Sequence, residues 1–254
     1  MKKYIVLVVC LFAVSTVHAI LIYDVIWENP PHVVGEAPTY GDGADRPDAD
    51  GWNVVIRDNV DGFDGSVAVL TGINDAIMWF SAYMMDDVSY TSGIHTISWM
   101  SSVLEWNNSG NFVQAINMGD RSIYAEYRST VDGMYLDVNM YVDGGYVQNK
   151  SINWSEGDVF DFVATFNLDE QWLNFSINGN PIFDGLDLST VDVNLTGLSF
   201  QRYPFGGSAG ELAIDNIRWE YTPKAIPEPA TMGLLLLGSG LLAAKRKKIA
   251  VLLP

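Results

Sequence analysis

Along the middle of the chain, apolar and polar residues alternate with a period of two. The cleanest run is 134–142, where Met134, Leu136, Val138, Met140 and Val142 interleave with Tyr135, Asp137, Asn139 and Tyr141. Successive side chains of a strand point to opposite faces, so this run predicts a strand with one apolar and one mostly polar face. Residues 159–167 repeat the pattern, with Phe160, Phe162, Ala164 and Phe166 on one side. Further β-prone runs lie at 20–27, 52–57, 66–71, 75–84, 94–106, 111–117, 122–128, 146–152, 171–177, 193–203 and 211–221. Asp143-Gly144-Gly145 and Asn178-Gly179 predict tight hairpins, because glycine and asparagine accept the positive φ such turns require. The Asp- and Gly-rich stretch 58–65 predicts a turn, and 28–51, with Pro30, Pro31, Pro38 and Pro47, a long polar loop. No stretch of 20–222 sustains a 3.6-residue apolar period. The pattern therefore predicts an all-β domain over 20–222, an antiparallel β-sandwich or jelly roll.

Two stretches stand outside this alternation. Met1-Lys2-Lys3 precedes the apolar run 4–14, and Val17-His18-Ala19 places small residues where a signal peptidase reads them, so 1–19 is predicted to be a signal peptide. At the other end, 223–229 is a linker holding Pro227-Glu228-Pro229, the 15 residues 230–244 carry no charge, and 245–254 opens with Lys245-Arg246-Lys247-Lys248. The two prolines hold their segment extended, open to a processing enzyme. A 15-residue helix spans roughly 22 Å, short of a ~30 Å hydrocarbon core, a gap that bilayer thinning and snorkelling lysines can close. The basic cluster is a membrane stop that stays on the cytoplasmic side and leaves the bulk of the chain outside. Residue physics alone fits both a plain tail anchor and a processed sorting tail.

Pro227-Glu228-Pro229, the short Leu- and Gly-rich run and the Arg/Lys cluster together resemble the PEP-CTERM sorting signal. That resemblance implies an exported protein of a bacterium with an outer membrane, usually one that makes exopolysaccharide. It also implies recognition and cleavage by an exosortase in the inner membrane, with the protein held there transiently or permanently before reaching the cell surface or matrix. A second resemblance lies in the middle of the chain. Phe175-Ser176-Ile177-Asn178-Gly179-Asn180-Pro181-Ile182-Phe183 looks like the strand–turn–strand hairpin of concanavalin A-like, LamG-type sandwiches, and Leu212-Ala213-Ile214-Asp215-Asn216-Ile217-Arg218-Trp219 is similar to their closing strand. It implies a concanavalin A-like jelly roll between signal peptide and transmembrane sorting helix, and an extracellular polysaccharide as partner.

Charge and cysteine content narrow the chemistry. All 31 acidic residues but only eight basic ones lie between Asp24 and Glu228, a net charge of −23 for the exported part. Such a field excludes nucleic acid as a partner. Cys10, the single cysteine, falls in the leader, so the exported part has neither disulfide nor thiolate metal site. The acids either keep the surface soluble or, in part, bind Ca²⁺, a hard cation suited to carboxylates. Asp215 is the focus, because it interrupts an apolar strand and a buried charge needs a partner. In similar sandwiches an aspartate of the closing strand helps hold a structural Ca²⁺, with Asp24, Glu28, Asp61 and Asp64 as possible companions here. The alternative is an aspartate at a sheet rim, bonded to loop amides.

No catalytic constellation is visible. Gly206-Gly207-Ser208-Ala209-Gly210 matches the nucleophile-elbow spacing, but a strand-like run follows it and no histidine lies beyond His95. His32 and His95 are not at metal-ligand spacing. A retaining glycosidase needs two carboxyl groups about 5–5.5 Å apart. Glu105 and Glu126 lack an acidic neighbour two residues away, and the Glu156/Asp158 pair sits at a turn. Of the aromatics, Trp52, Trp79, Trp99, Trp172 and Trp219 lie within strands and read as core. Trp106, Trp154 and Tyr203 stand near strand ends beside polar residues, where a ring can stack on a sugar, although core filling is the commoner use of any one ring. The expectation is a non-enzymatic carbohydrate-binding sandwich. The alternatives are a glycan-active hydrolase or lyase of the same fold and a matrix protein without a specific ligand.

Overall fold

Each alternating run becomes a strand in the computed structural model, which describes residues 19–25, 35, 54–71, 76–81, 90–106, 110–119, 121–142, 145–204 and 210–224. The order is β1 (Ile20–Val25), β2 (Val54–Asp58), β3 (Ser66–Leu70), β4 (Ala76–Ser81), β5 (Ile94–Glu105), β6 (Gly110–Asn117) and β7 (Ser122–Thr130). There follow β8 (Gly133–Val142), β9 (Gly145–Asn153), β10 (Val159–Asn167), β11 (Trp172–Ile177), β12 (Asn180–Asp187), β13 (Gly197–Pro204) and β14 (Glu211–Thr222). The strand expected over 193–203 starts later, at Gly197, and before it Leu195 makes only an isolated bridge to Tyr90. The leader, Trp27, Glu28, the 36–53 stretch and the tail from residue 225 lie outside the described residues.

Two antiparallel sheets form the sandwich. One runs β12-β11-β10-β5-β14-β3-β2, with β1 added beside β14, and the other runs β4-β13-β6-β7-β8-β9. The Asn178-Gly179 hairpin joins β11 to β12. Asn178 (φ 51°) and Gly179 (φ 71°) both take the positive φ of a two-residue type I′ turn, whose twist matches the flanking strands. Asn178 is tied down from outside the hairpin: the Asp161 amide donates to its Oδ1 at 2.7 Å and its own amide donates to the Asp161 carbonyl at 2.8 Å.

Period-two patterning fills the core from both sheets. Trp99 on β5 stacks on Phe162 of β10 (4.9 Å, 4°) and meets Phe200 of β13 in the other sheet edge-on (6.1 Å, 80°). All three rings are almost wholly inaccessible. Burying a side chain of this size stabilises by about 1.5–3 kcal/mol, and each good ring pair adds about 0.5–1.5 kcal/mol. The indole N–H of Trp99 donates to Gln114 Oε1 on β6, while Ser101 on β5 and the Tyr127 hydroxyl on β7 share a 3.0 Å hydrogen bond. These two links cross the sandwich and fix the two sheets against each other in one arrangement, since each buried polar group needs its partner. Burial pushes the Tyr127 phenol well above its ordinary range.

β14 organises the larger sheet. β5 pairs along one side of it, while the other side is shared, by β3 over Leu212–Ile214 and by β1 over Ile217–Tyr221. At the changeover Asn216 (φ 51°) makes a bulge, the extra residue that re-aims the strand from one neighbour to the next.

Candidate functional site

Strand parity divides most of the six-stranded sheet into an apolar inner and a polar outer side, with Gln114 a polar residue on the inner side. Phe112, Ile116, Ile123, Ala125, Tyr127, Leu136, Val138, Met140, Leu198 and Phe200 face the core. Most alternate positions, on the outer face, carry polar or charged side chains, namely Asn111, Asn117, Tyr124, Glu126, Arg128, Tyr135, Asp137, Asn139, Ser151, Ser199 and Gln201, while Val113 and Ala115 of β6 are apolar members of the same face. An outer face of a two-layer sandwich is expected to be wet. Here Asp137, Asn139 and Ser199 are buried nonetheless, each at most 4 % exposed. Their neighbours across the strands enclose them.

Register explains the grouping. Glu126 lies opposite Asp137, and Asp137 in turn opposite Ser151. Side chains directly across an antiparallel pair have Cβ atoms about 4.5–5.5 Å apart, so this row brings two carboxylates together. Asp137 is an ion pair with Arg128 and accepts from Ser151 Oγ at 2.5 Å, and Asn111 Nδ2 donates to Glu126 Oε1. Arg128 keeps 41 % of its side chain exposed, whereas Asp137 keeps 2 %. Burial raises the Glu126 pKa and Asp137 adds to the rise, while the Asn111 amide and the Arg128 charge oppose it. A second network on the same face centres on Ser199, whose Oγ accepts from Asn117 Nδ2 (3.2 Å) and Gln201 Nε2 (3.3 Å). The arrangement presents hydrogen-bonding groups of both kinds, pre-set by their neighbours, with a half-buried carboxyl among them.

Glu126 and Asp137 were not paired in the sequence because they stand on different strands. A search for acids two residues apart on one strand cannot see a cross-strand pair, and the only signal was the period-two pattern that places both on the polar side. Trp106 and Trp154, expected near the ligand, are instead core residues, 8 % and 5 % exposed. Their rings meet edge-on at 5.4 Å, with Trp154 against Tyr127 and Trp106 against Phe112, so neither offers a face to a sugar. Trp99 and Trp219 are core as expected. The Tyr203 side chain lies outside those described, and its backbone pairs with Asn111 on β6.

The carboxylates singled out for calcium scatter. Asp24 is exposed on β1 opposite Arg218, and Asp61 and Asp64 are exposed in the turn between β2 and β3. Asp215 is 2 % exposed on β14. Alternation puts it on the side of Ala213, away from the main core, where Val67, Val69 and Ala213 form a small apolar cluster with Val60 and Phe63. Among the described residues no three His, Cys, Asp or Glu side chains converge to hold a metal. Glu28 lies outside them. A cavity of about 290 Å³ opens elsewhere, lined by Thr91, Gln171, Leu188, Ser189, Thr190 and Asp192 among others, with no residue of the polar face.

No curated protein matches the chain. Among solved structures, alginate lyase A1-II′, a member of polysaccharide lyase family 7, is similar over 66 % of this chain and 83 % of its own, with a TM-score of 0.51 at 10 % identity. A Mycobacterium abscessus protein assigned as a β-glucanase is similar over 78 % of this chain and 99 % of its own, with a TM-score of 0.50 at 12 % identity. At such identities the likeness is one of fold, the antiparallel jelly roll of concanavalin A-like proteins. Residues 225–248 match the PEP-CTERM protein-sorting motif, the signal of an exported protein that is anchored in the membrane and processed by an exosortase.

Proposed function

We propose that the exported domain binds a polysaccharide outside the cell, on the outer face of its six-stranded sheet, without cleaving it. The observation that carries this reading is the fixed polar row on that face: Asn111 on Glu126, Arg128 and Ser151 on Asp137, and Asn117 and Gln201 on Ser199. Sugars are recognised by many donors and acceptors held in place, with an aromatic or apolar body beside them, and Tyr124 and Tyr135 stand on the same face. Pre-set groups lower the ordering cost of binding. The export route supports the reading, since a sorted envelope protein meets polysaccharide where it arrives.

A glycan array and affinity electrophoresis with purified 20–222 domain test it. Binding to at least one extracellular polysaccharide is expected, weakened at least about tenfold by Tyr124→Ala together with Glu126→Gln, with the melting temperature little changed. Failure to bind any glycan would leave a matrix protein without a specific ligand. A second reading has one observation in its favour: Glu126, its pKa raised, stands across from Asp137, an arrangement in which one carboxyl can hold a proton beside a charged neighbour. Release of reducing ends or of unsaturated sugars, abolished by Glu126→Gln, would establish that enzymatic reading instead.

A further inference from the structure

Register decides which charges the polar face carries. Three strands of its sheet hold a basic residue: Arg128 on β7, Lys150 on β9 and Arg202 on β13. Lys150 pairs with Val138 and Arg202 with Phe112, both positions on the inner side of the sheet. Residues directly across an antiparallel pair share a face, so among the described strands parity assigns Arg128 alone of the bases to the outer face. The same six strands hold two acids, Glu126 and Asp137. Arg128 is the counter-ion of the buried Asp137, and their charges cancel. Glu126 is left as the uncompensated charge of the face, on an exported part whose net charge is −23.

Glu126 is also placed to receive a ligand. It is half-buried, the Asn111 amide donates to its Oε1, and among the described residues no group donates to its Oε2. Across the strands it sits between Val113 of β6 and Asp137 of β8. Tyr124 precedes it by two residues on the same face, and Tyr135 lies across from Arg128. Asn139, across from Tyr124, is a second acceptor: it is 4 % exposed and its Oδ1 has no hydrogen-bond partner. A buried oxygen without a donor is costly, and a ligand that brings donors relieves that cost. An ammonium group offers three N–H donors and no acceptor, and it is attracted both to a carboxylate and to the faces of aromatic rings.

An acidic glycan fits this face poorly. A uronate or sulfate would approach Glu126 while Arg128, the base beside it, is held by Asp137, and the field of the whole domain opposes its approach. Granted that the polar face binds polysaccharide, the reading on which this step rests, we propose that its ligand is an amine-bearing polysaccharide, one whose sugars carry free amino groups, and that Glu126 receives the ammonium. The overall negative charge draws any polycation loosely. Glu126, at one fixed place beside two tyrosines, separates the free amine from its N-acetylated form, which has lost the charge. Specificity is that difference between two affinities.

Calorimetric titration of the full chain, purified in neutral detergent, tests this with three probes: a β-1,4-linked glucosamine hexamer, its fully N-acetylated counterpart and a hexamer of a uronic acid. The free amine should bind at least about tenfold tighter than the N-acetylated form, and the uronate weakest of the three. Glu126→Gln should shrink the preference for the amine to within about twofold. Asp61→Asn removes an equal charge from the exposed turn between β2 and β3, and should keep the parental preference. Both variants should keep the parental melting temperature. Equal or tighter binding of the N-acetylated or uronate hexamer, or no binding of the amine, overturns the proposal and leaves polysaccharide binding to stand on the other glycans. A preference that survives Glu126→Gln overturns it as well, since the attraction then belongs to the overall charge. Failure on every glycan removes both readings together.

Discussion

Glu126 on β7 stands directly across from Asp137 on β8, and the two acids are held by different partners: Asn111 for the first, Arg128 and Ser151 for the second. Their environments separate their roles. Asp137 is 1 % exposed and its ion pair is part of the sheet's packing. Asp137→Asn leaves Arg128 without its counter-charge, but that arginine is part-exposed, so the cost should be about 1–3 kcal/mol, below that of breaking a fully buried pair. Glu126 is the reverse case. Its pKa is raised by burial and by Asp137, so its contribution to stability is present below the ordinary 4.5 and is lost as pH rises through the higher folded value. Glu126→Gln should therefore be neutral or slightly stabilising at pH 7. Urea midpoints of the two variants check both statements, and a larger loss from Glu126→Gln than from Asp137→Asn would refute the division.

His95 makes the domain sensitive to acid. Its ring is fully buried, its Nε2–H donates to the Ser92 carbonyl at 3.0 Å, and its Nδ1 accepts from the Trp219 indole N–H at 3.2 Å. A second proton on Nδ1 would face that indole N–H, and burial lowers the pKa from 6.5 to about 4. The unfolded chain takes up this proton at higher pH than the folded one. Stability from His95 is thus fully present above pH 6.5 and declines as pH falls toward 4, by about 3 kcal/mol in all. Urea unfolding between pH 7 and pH 4 should show a steeper loss in the parent than in His95→Gln. Parallel profiles would mean that His95 titrates normally.

Much of this fold could be read from the chain because period-two patterning reports burial one strand at a time. Met134 through Val142 and Val159 through Asn167 are strands as the alternation predicts, and Asn178-Gly179 turns as its residues demand. The candidate site was less legible for a physical reason. It is built across strands, from pairs such as Glu126–Asp137 and Asn117–Ser199, and strand order is set by long-range pairing that local pattern does not encode. Alternation predicts only that one side of β8 is mostly polar, and it does not predict that Asp137 and Asn139 on that side are enclosed by side chains of the neighbouring strands. Trp106 and Trp154 misled for a similar reason: polar neighbours in sequence say little about the rings that meet them in space.

Trp154 tests that correction. It is 5 % exposed, with Trp106 and Tyr127 both edge-on to it at 5.4 Å and 5.2 Å. Trp154→Ala should open a cavity between the sheets and cost about 3–5 kcal/mol. The part of the population that stays folded should keep the parental affinity for any glycan that binds. Denaturation midpoints and binding isotherms separate the cases, since an unchanged midpoint with binding lost would return Trp154 to the ligand face.

Gly93 is the residue on which the end of the last strand rests. Its φ of +82° lies in the left-handed region, where a side chain is strained in any surroundings. An added Cβ would also meet Tyr221 Cε2 at 2.5 Å and the Thr222 carbonyl oxygen at 2.7 Å, a side-chain and a backbone contact at once. The tyrosine ring cannot simply swing aside, because it is stacked on His95. Gly93→Ala should therefore cost about 2–4 kcal/mol, the sum of the backbone penalty and of overpacking. The damage should be local before it is global. Amide exchange of Trp219 through Thr222, and of β1 paired to them, should quicken well before that of β10 or β11. Exchange that rises evenly across both sheets would show instead that this strand end has no stability of its own to lose.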